Sequence, residues 1–345
     1  MENNEKLSLT DKPAKPSDLI AGLPPIKKLF SDAWKTFTLS LLNLFILSLV
    51  SIVGNVSALL VFGILYIILS LGSGLVKNII QQPSALSNLP PSHLFFFIGL
   101  AGVFGILFIL VNYIFRIAMV VTVARSEKQI SIKENIKFSL KRVLPLVMTD
   151  FIILFFVIGG SLLFIFPALI FYFFFLFVNY EVILNNQSFL NALKKSVLLV
   201  SRRFGEILIR ILILVGITIL LTILIPNMIR KIDPDTYLLI ALWSVLLNVL
   251  FGWFSLAFML ELYKQAQKGI ENDKLPSLSI FWIVAILGWI LALVLFILGI
   301  KIASLPSAQK FFQKQFTPTP TIYMRRKLPP FYDPIISPTT ESPFL

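Results

Sequence analysis

The sequence predicts an all-α, polytopic transmembrane helix bundle: three repeats of a basic interfacial helix plus a transmembrane hairpin, followed by a seventh C-terminal span. Three observations predict it. Of 345 residues, 57% are hydrophobic and 14% charged, and the mean hydropathy is +0.89. A soluble domain carries about 25% charged residues, so this much apolar surface needs a bilayer as its solvent. Long uncharged runs recur along the chain. Three basic stretches look like copies of one another, beginning at Ile26-Lys27-Lys28-Leu29-Phe30, Ile132-Lys133-Glu134-Asn135-Ile136 and Leu193-Lys194-Lys195-Ser196-Val197. Nine residues on, each carries more basic charge, at Lys35, Lys141-Arg142 and Arg202-Arg203, before an apolar run. The first two copies stay in register for 29 positions, from Ile26 against Ile132 to Gly54 against Gly160.

The elements follow in order. Residues 1–23 read as a flexible, mixed-charge segment with prolines at Pro13 and Pro16. The first apolar run starts near Phe37, too far from Met1 for a cleavable leader, so the first span is expected to stay. Thr36 to Val76 holds no charge over 41 positions, about 60 Å of helix. It is one long span, or two tight ones meeting near Gly54-Asn55. The next spans are Leu94–Val123, Val143–Leu163 and Phe164–Leu184, with the last turn marked by Gly159-Gly160 and Pro167. Then come Ile207–Ile225, closed by Pro226, and Tyr237–Leu260. Together these make a core over 24–265, with repeats at about 24–124, 130–184 and 188–265. A further span covers 278–300, and 301–345 is a Pro/Thr-rich tail expected to be disordered.

Charge sets the direction. One set of loops holds thirteen Lys or Arg: six from Arg125 to Arg142, then Lys194, Lys195, Arg202, Arg203, Lys264, Lys268 and Lys274. The other set holds Lys77, Arg230 and Lys231. The richer side belongs in the cytoplasm, and six N-terminal lysines place the N-terminus there too. Residues 36–76 then cross once, and the tail lies outside. The expected location is the cytoplasmic membrane.

Ser131-Ile132-Lys133-Glu134 has the form of a capping box. Behind it Ile132, Ile136, Leu140 and Val143 recur at helical spacing, and Lys133, Lys137 and Lys141 form a separate stripe. Such a helix suits the headgroup boundary, where each Lys near an anionic leaflet contributes about 1 kcal/mol. The candidate contacts for anionic phospholipid headgroups are Lys27, Lys28, Lys133, Lys137, Lys141, Lys194, Lys195, Arg202 and Arg203.

Ionisable residues within spans are costly and find partners or cavities. Arg116 lies nine residues before Arg125, and Asp150 eight after Arg142. On antiparallel spans the two sit at similar depth and are expected to pair. Glu181 and Arg210 are the second expected pair, with Glu206 a competitor one turn before Arg210. Asn43, Asn55, Asn112, Asn179 and Asn248 are read as interhelical hydrogen-bonding groups.

Chemistry is sparsely represented. There is no cysteine and one histidine, His93. No phosphate-binding glycine loop ending in Gly-Lys-Ser or Gly-Lys-Thr, no His-Glu-x-x-His and no Gly-x-Ser-x-Gly occurs. No enzyme activity, cofactor or metal is expected. The net charge of +13 flanks apolar runs as membrane-bordering charge does, and no nucleic-acid motif accompanies it. The expected partners are the bilayer and its anionic headgroups, with room for a membrane-protein partner.

Three strings carry a resemblance: Phe115-Arg116-Ile117-Ala118-Met119, Gly159-Gly160-Ser161-Leu162-Leu163-Phe164-Ile165-Phe166-Pro167, and Ala192-Leu193-Lys194-Lys195-Ser196 through Arg203-Phe204 to Arg210. Together they resemble the membrane domain of some glycerophosphoryl diester phosphodiesterases and of related uncharacterised bacterial inner-membrane proteins, over about residues 24 to 265. The resemblance implies a bacterial multi-pass membrane protein. It does not imply the phosphodiesterase activity, since the chain has no room for the barrel and one His cannot supply a catalytic pair. The function expected is a non-catalytic, lipid-associated scaffold or envelope accessory. The rival is a small-solute or lipid transporter using a polar cavity around Arg116/Asp150 and Glu181/Arg210.

Overall fold

The computed structural model describes residues 22–72, 91–128, 131–187, 189–232, 237–268, 270 and 273–305. Their regular structure is helical. In chain order the helices are α1 (Ile26–Gly72), α2 (Pro91–Ala124), α3 (Ile132–Leu163), α4 (Ile165–Phe174), α5 (Val178–Asn185), α6 (Phe189–Arg202), α7 (Phe204–Ile219), α8 (Ile225–Ile232), α9 (Tyr237–Gln267) and α10 (Ser279–Ala303). A single 3₁₀ turn, Ser126–Lys128, follows α2, and a π-helical turn, Leu220–Leu224, joins α7 to α8. Seven helical stretches among the described residues are long and apolar enough to cross a membrane. By its internal contacts the chain divides into two units, Met1–Leu291 and Ala292–Leu345. The described part of the second is the end of α10 and two residues beyond. Residues 1–21 of the N-terminal segment expected to be flexible, Lys77 and the tail from 306 lie outside the described residues, as do the side chains of His93 and Arg230.

In the first unit α1 packs against α2 and α9, α2 against α3, α3 against α4, and α5 against α6. The buried residues gather at one end of these helices. Ile117–Val123 of α2, Phe177–Leu184 in and before α5, Ala192–Val200 of α6 and Ala257–Ala266 of α9 supply most of them. The stretches 45–68, 98–109 and 238–249 instead turn most of their large apolar side chains outward. In water that surface would be untenable, whereas in a bilayer it is solvated.

Residues 36–72 form one unbroken helix that passes Gly54-Asn55. No proline interrupts it, and Asn55 exchanges reciprocal 3.2 Å hydrogen bonds with Asn112 of α2. The sequence register between Ile26 and Ile132 therefore does not extend to where the helices stop. Beyond Gly54 α1 continues for 18 residues, whereas α3 ends three residues past Gly160. There Phe164 is extended, and α4 folds back so closely that a Cβ on Gly160 would lie 3.1 Å from the Phe171 ring. The basic stretches at Ile26 and Ile132 are simply the first turns of α1 and α3. Only the third forms a separate helix, α6, parted from α7 at Arg203.

Four further expectations are corrected. Ser131 makes no side-chain cap; its backbone carbonyl, not its hydroxyl, accepts the Glu134 and Asn135 N–H groups at 3.0 and 3.1 Å. The apolar row Ile132, Ile136, Leu140 and Val143 does not stay together as one face: Val143 is buried, Ile132 and Ile136 are half-buried and Leu140 points outward, while Asn135, Ser139, Leu146 and Thr149 join Val143 on the buried side. Pro226 does not close the fifth span. A π turn stands directly before it, with the Ile225 N–H donating to the Leu220 carbonyl, and the helix runs on to Ile232. The fourth span is broken between Phe174 and Val178. The third basic stretch repairs that break: Ser196 Oγ accepts from the Phe177 N–H (3.1 Å) and donates to the Phe174 carbonyl (2.8 Å). Backbone groups so buried need partners.

Candidate functional site

Three helices converge on Asp150. From α2, the Tyr113 hydroxyl donates to Asp150 Oδ2 at 2.8 Å and Arg116 Nη1 at 3.3 Å. From α5, Asn179, with its amide nitrogen turned to the carboxylate, donates to Asp150 Oδ1 (3.1 Å) and accepts from Arg116 Nη2 (2.7 Å). Both carboxylate oxygens are thus occupied, and the quartet ties α2, α3 and α5 at one level. Tyr113 stands three residues before Arg116, on the same helix face. That spacing is legible in the sequence.

Glu181 and Arg210 do not pair with each other. The Glu181 side chain is fully buried and takes Lys195 Nζ at 3.3 Å. Asn185 Nδ2 reaches its Oε2 at 2.8 Å and Gln267 Nε2 its Oε1 at 3.1 Å. The same two amides also donate to the Tyr263 hydroxyl, at 2.7 and 2.6 Å, and the Tyr263 ring stacks on Tyr180. Lys195 is therefore a structural partner inside the bundle rather than a headgroup contact. Physically, α6 lies against α5, and the break at residues 175–177 aims Glu181 at α6 instead of α7. Asn185 is four residues after Glu181 and Gln267 four after Tyr263, both standard helical neighbours. The meeting of the two helices had no local signal.

Arg210 serves the segment ahead of α1. Its Nη2 donates to the carbonyls of Pro24 (2.7 Å) and Leu23 (3.3 Å), and its Nη1 to the Glu206 carbonyl (2.8 Å). Glu206 Oε2 accepts the Leu23 N–H at 2.7 Å and lies 3.8 Å from Arg210 Nη1. Arg203 and Arg202 are also engaged within the chain. Arg203 Nη1 and Nη2 donate to the Gln265 and Lys268 carbonyls at 3.1 Å each, satisfying the C-terminal end of α9. Burial pushes the Arg203 guanidinium below its usual pKa, opposed by Glu206 and reinforced by Arg210. Arg202 pairs with Asp273 at 2.9 Å.

Of the nine basic residues expected at headgroups, Lys27, Lys28, Lys133, Lys137 and Lys141 are exposed, and Lys194 is half-buried. Two cavities lie near them. A polar one of about 200 Å³ is lined by Asp32, Lys35, Thr36, Ser126, Glu127, Glu261 and Lys264, among others. In it Glu261 Oε1 accepts from Thr36 (3.0 Å) and Lys264 (2.9 Å). An apolar groove of about 640 Å³ runs along α3 beside Phe189 and Trp282. No group of three or more His, Cys, Asp or Glu among the described residues is placed to hold a metal ion.

Seven long apolar helical stretches, carrying charges that are held by neighbouring helices, define a multi-pass membrane protein in contact with a lipid bilayer. Residues 91–266, just over half of the chain, match the family described as a domain of unknown function, DUF7847, and the chain belongs to that family. No curated protein and no solved structure matches it. The family match does not carry the phosphodiesterase label that the three strings suggested.

Proposed function

We propose that the protein is a non-catalytic, lipid-associated scaffold or envelope accessory of the cytoplasmic membrane. Its N-terminus and basic loops face the cytoplasm, and the chain beyond α10 lies on the opposite side. The observation that carries this reading is a division of labour among the charges. Arg116, Asp150, Glu181, Lys195 and Arg210 are consumed by contacts between helices. Lys27, Lys28, Lys133 and Lys137 stand exposed on the first turns of α1 and α3. Charges of the first kind hold a bundle together; charges of the second kind meet headgroups. The transporter reading needs polar space around the two clusters, and the hydrogen bonds that close them argue for the scaffold. The likeness to the phosphodiesterase membrane domain belongs to this reading as shared architecture.

The test is mass spectrometry of lipids and proteins retained in native nanodiscs, comparing the wild type with Lys133, Lys137 and Lys141 all changed to Gln. Loss of anionic lipid in the triple variant supports headgroup recognition by α3. Unchanged lipid retention refutes it. A stoichiometric protein partner in both samples recasts the chain as an assembly subunit.

A further inference from the structure

The lysine row and the apolar groove of α3 lie on one helical stripe. At 100° per residue, Lys133, Lys137 and Lys141 fall on the same face as Leu144, Pro145, Met148, Phe151, Ile152 and Phe155, which line the groove. The polar part therefore runs directly into the apolar part. Phe189 at the start of α6 and Trp282 of α10 form the groove's walls. The Phe155 ring holds the far end, 5.8 Å from Trp282 and stacked on Trp289 at 5.7 Å, with Trp289 Nε1 donating to its carbonyl at 3.2 Å. Leu144, Met148 and Phe151 remain exposed, so the groove stands open along its length.

The dimensions match one leaflet. From Leu144 to Phe155 the helix rises about 17 Å, against about 15 Å for half of a 30 Å hydrocarbon core. The lysines sit on the two turns before the groove, at the level where headgroups lie.

We propose that this face of α3 is a site for one anionic glycerophospholipid, its headgroup on Lys133, Lys137 and Lys141 and an acyl chain in the groove. The proposal rests on the headgroup recognition argued above and adds the chain-binding half. Charge complementarity selects the anionic class, and the continuity of the stripe distinguishes a seated lipid from a diffuse basic surface. A groove without the lysines would take any lipid. The lysines without the groove would attract anionic lipid but hold no chain in place.

The experiment uses the full chain in bilayers with Trp34, Trp243, Trp253 and Trp289 changed to Phe, leaving Trp282 as the reporter. Bromines are placed on the acyl chains of either phosphatidylglycerol or phosphatidylcholine, at equal mole fraction. Stronger quenching of Trp282 by the brominated anionic lipid is expected, with the preference falling about five-fold on Lys137→Gln. Equal quenching by the two lipids overturns the proposal. A filling variant, Met148→Trp in the otherwise wild-type chain, gives an independent decision by lipid mass spectrometry. Bound anionic lipid should fall several-fold in it while the lysines remain. If Met148→Trp retains lipid fully and the triple Gln variant loses it, headgroup recognition survives and the seated chain does not. If neither variant loses lipid, both readings fail.

Discussion

At the scale of single residues, a formal charge in this chain says little about its role until its neighbours are known. Lys194 and Lys195 are adjacent and look interchangeable, yet Lys195 turns inward to a fully buried carboxylate. Glu181 also holds the amides of Asn185 and Gln267, so its removal leaves three donors short of an acceptor. Breaking such a buried pair costs about 3–5 kcal/mol. Glu181→Ala should therefore lower the unfolding temperature in detergent by about 10 °C. Glu181→Gln combined with Lys195→Met removes both charges and should recover most of that loss. A double variant no more stable than Glu181→Ala would show that the charge pair is not the source. Glycine gives a second test at this scale. A Cβ on Gly159 would stand 2.6 Å from the Ala285 carbonyl oxygen, and one on Gly288 would meet the Gly159 carbonyl. Backbone cannot yield as a side chain can. Gly159→Val is expected to cost about 1–3 kcal/mol and to reduce the near-ultraviolet dichroism of the Phe155, Trp282 and Trp289 cluster. Gly205→Ala, with nothing within 4 Å, should be harmless.

At the scale of elements, the deciding features are where helices break and what repairs the break. Ser196 closes the gap between α4 and α5, which lets the chain turn inside an apolar region without orphaned backbone groups. Ser196→Ala should loosen α6 from the break, seen as faster amide exchange at Phe177. Unchanged exchange there would assign the break to packing alone. The α1–α2 pairing has its own check, because the chain has no cysteine to confuse cross-linking. Asn55→Cys with Asn112→Cys replaces the reciprocal amide pair. Oxidation should form an intramolecular bridge in the folded protein. A failure to cross-link would mean that α1 and α2 are not aligned at this level.

At the scale of the whole molecule, the sidedness of the membrane is the outstanding property. If the basic end faces the cytoplasm, a cysteine at Ser131 should react with an impermeant thiol reagent only in inverted vesicles. A cysteine at Phe164, in the turn between α3 and α4, should react only in intact spheroplasts. The reverse pattern would invert the proposed topology and place the lysine row in the outer leaflet.

The linear order of residues is enough to make this chain a membrane bundle. It also located the spans and placed Arg116 and Asp150 at one depth, because hydropathy, charge flanking and helical rise are local and additive along a chain. Tyr113 beside Arg116 and Asn185 beside Glu181 were legible for the same reason, being helical neighbours. The packed fold decides that Glu181 meets Lys195 rather than Arg210, since that depends on how the break after Phe174 turns α5 toward α6. It likewise decided that Arg210 and Glu206 hold the Leu23–Pro24 backbone, nearly two hundred residues away. The groove beside the lysine row belongs to the same category. Its floor is a local stripe on α3, but its walls, Phe189 and Trp282, come from helices whose approach no local pattern encodes.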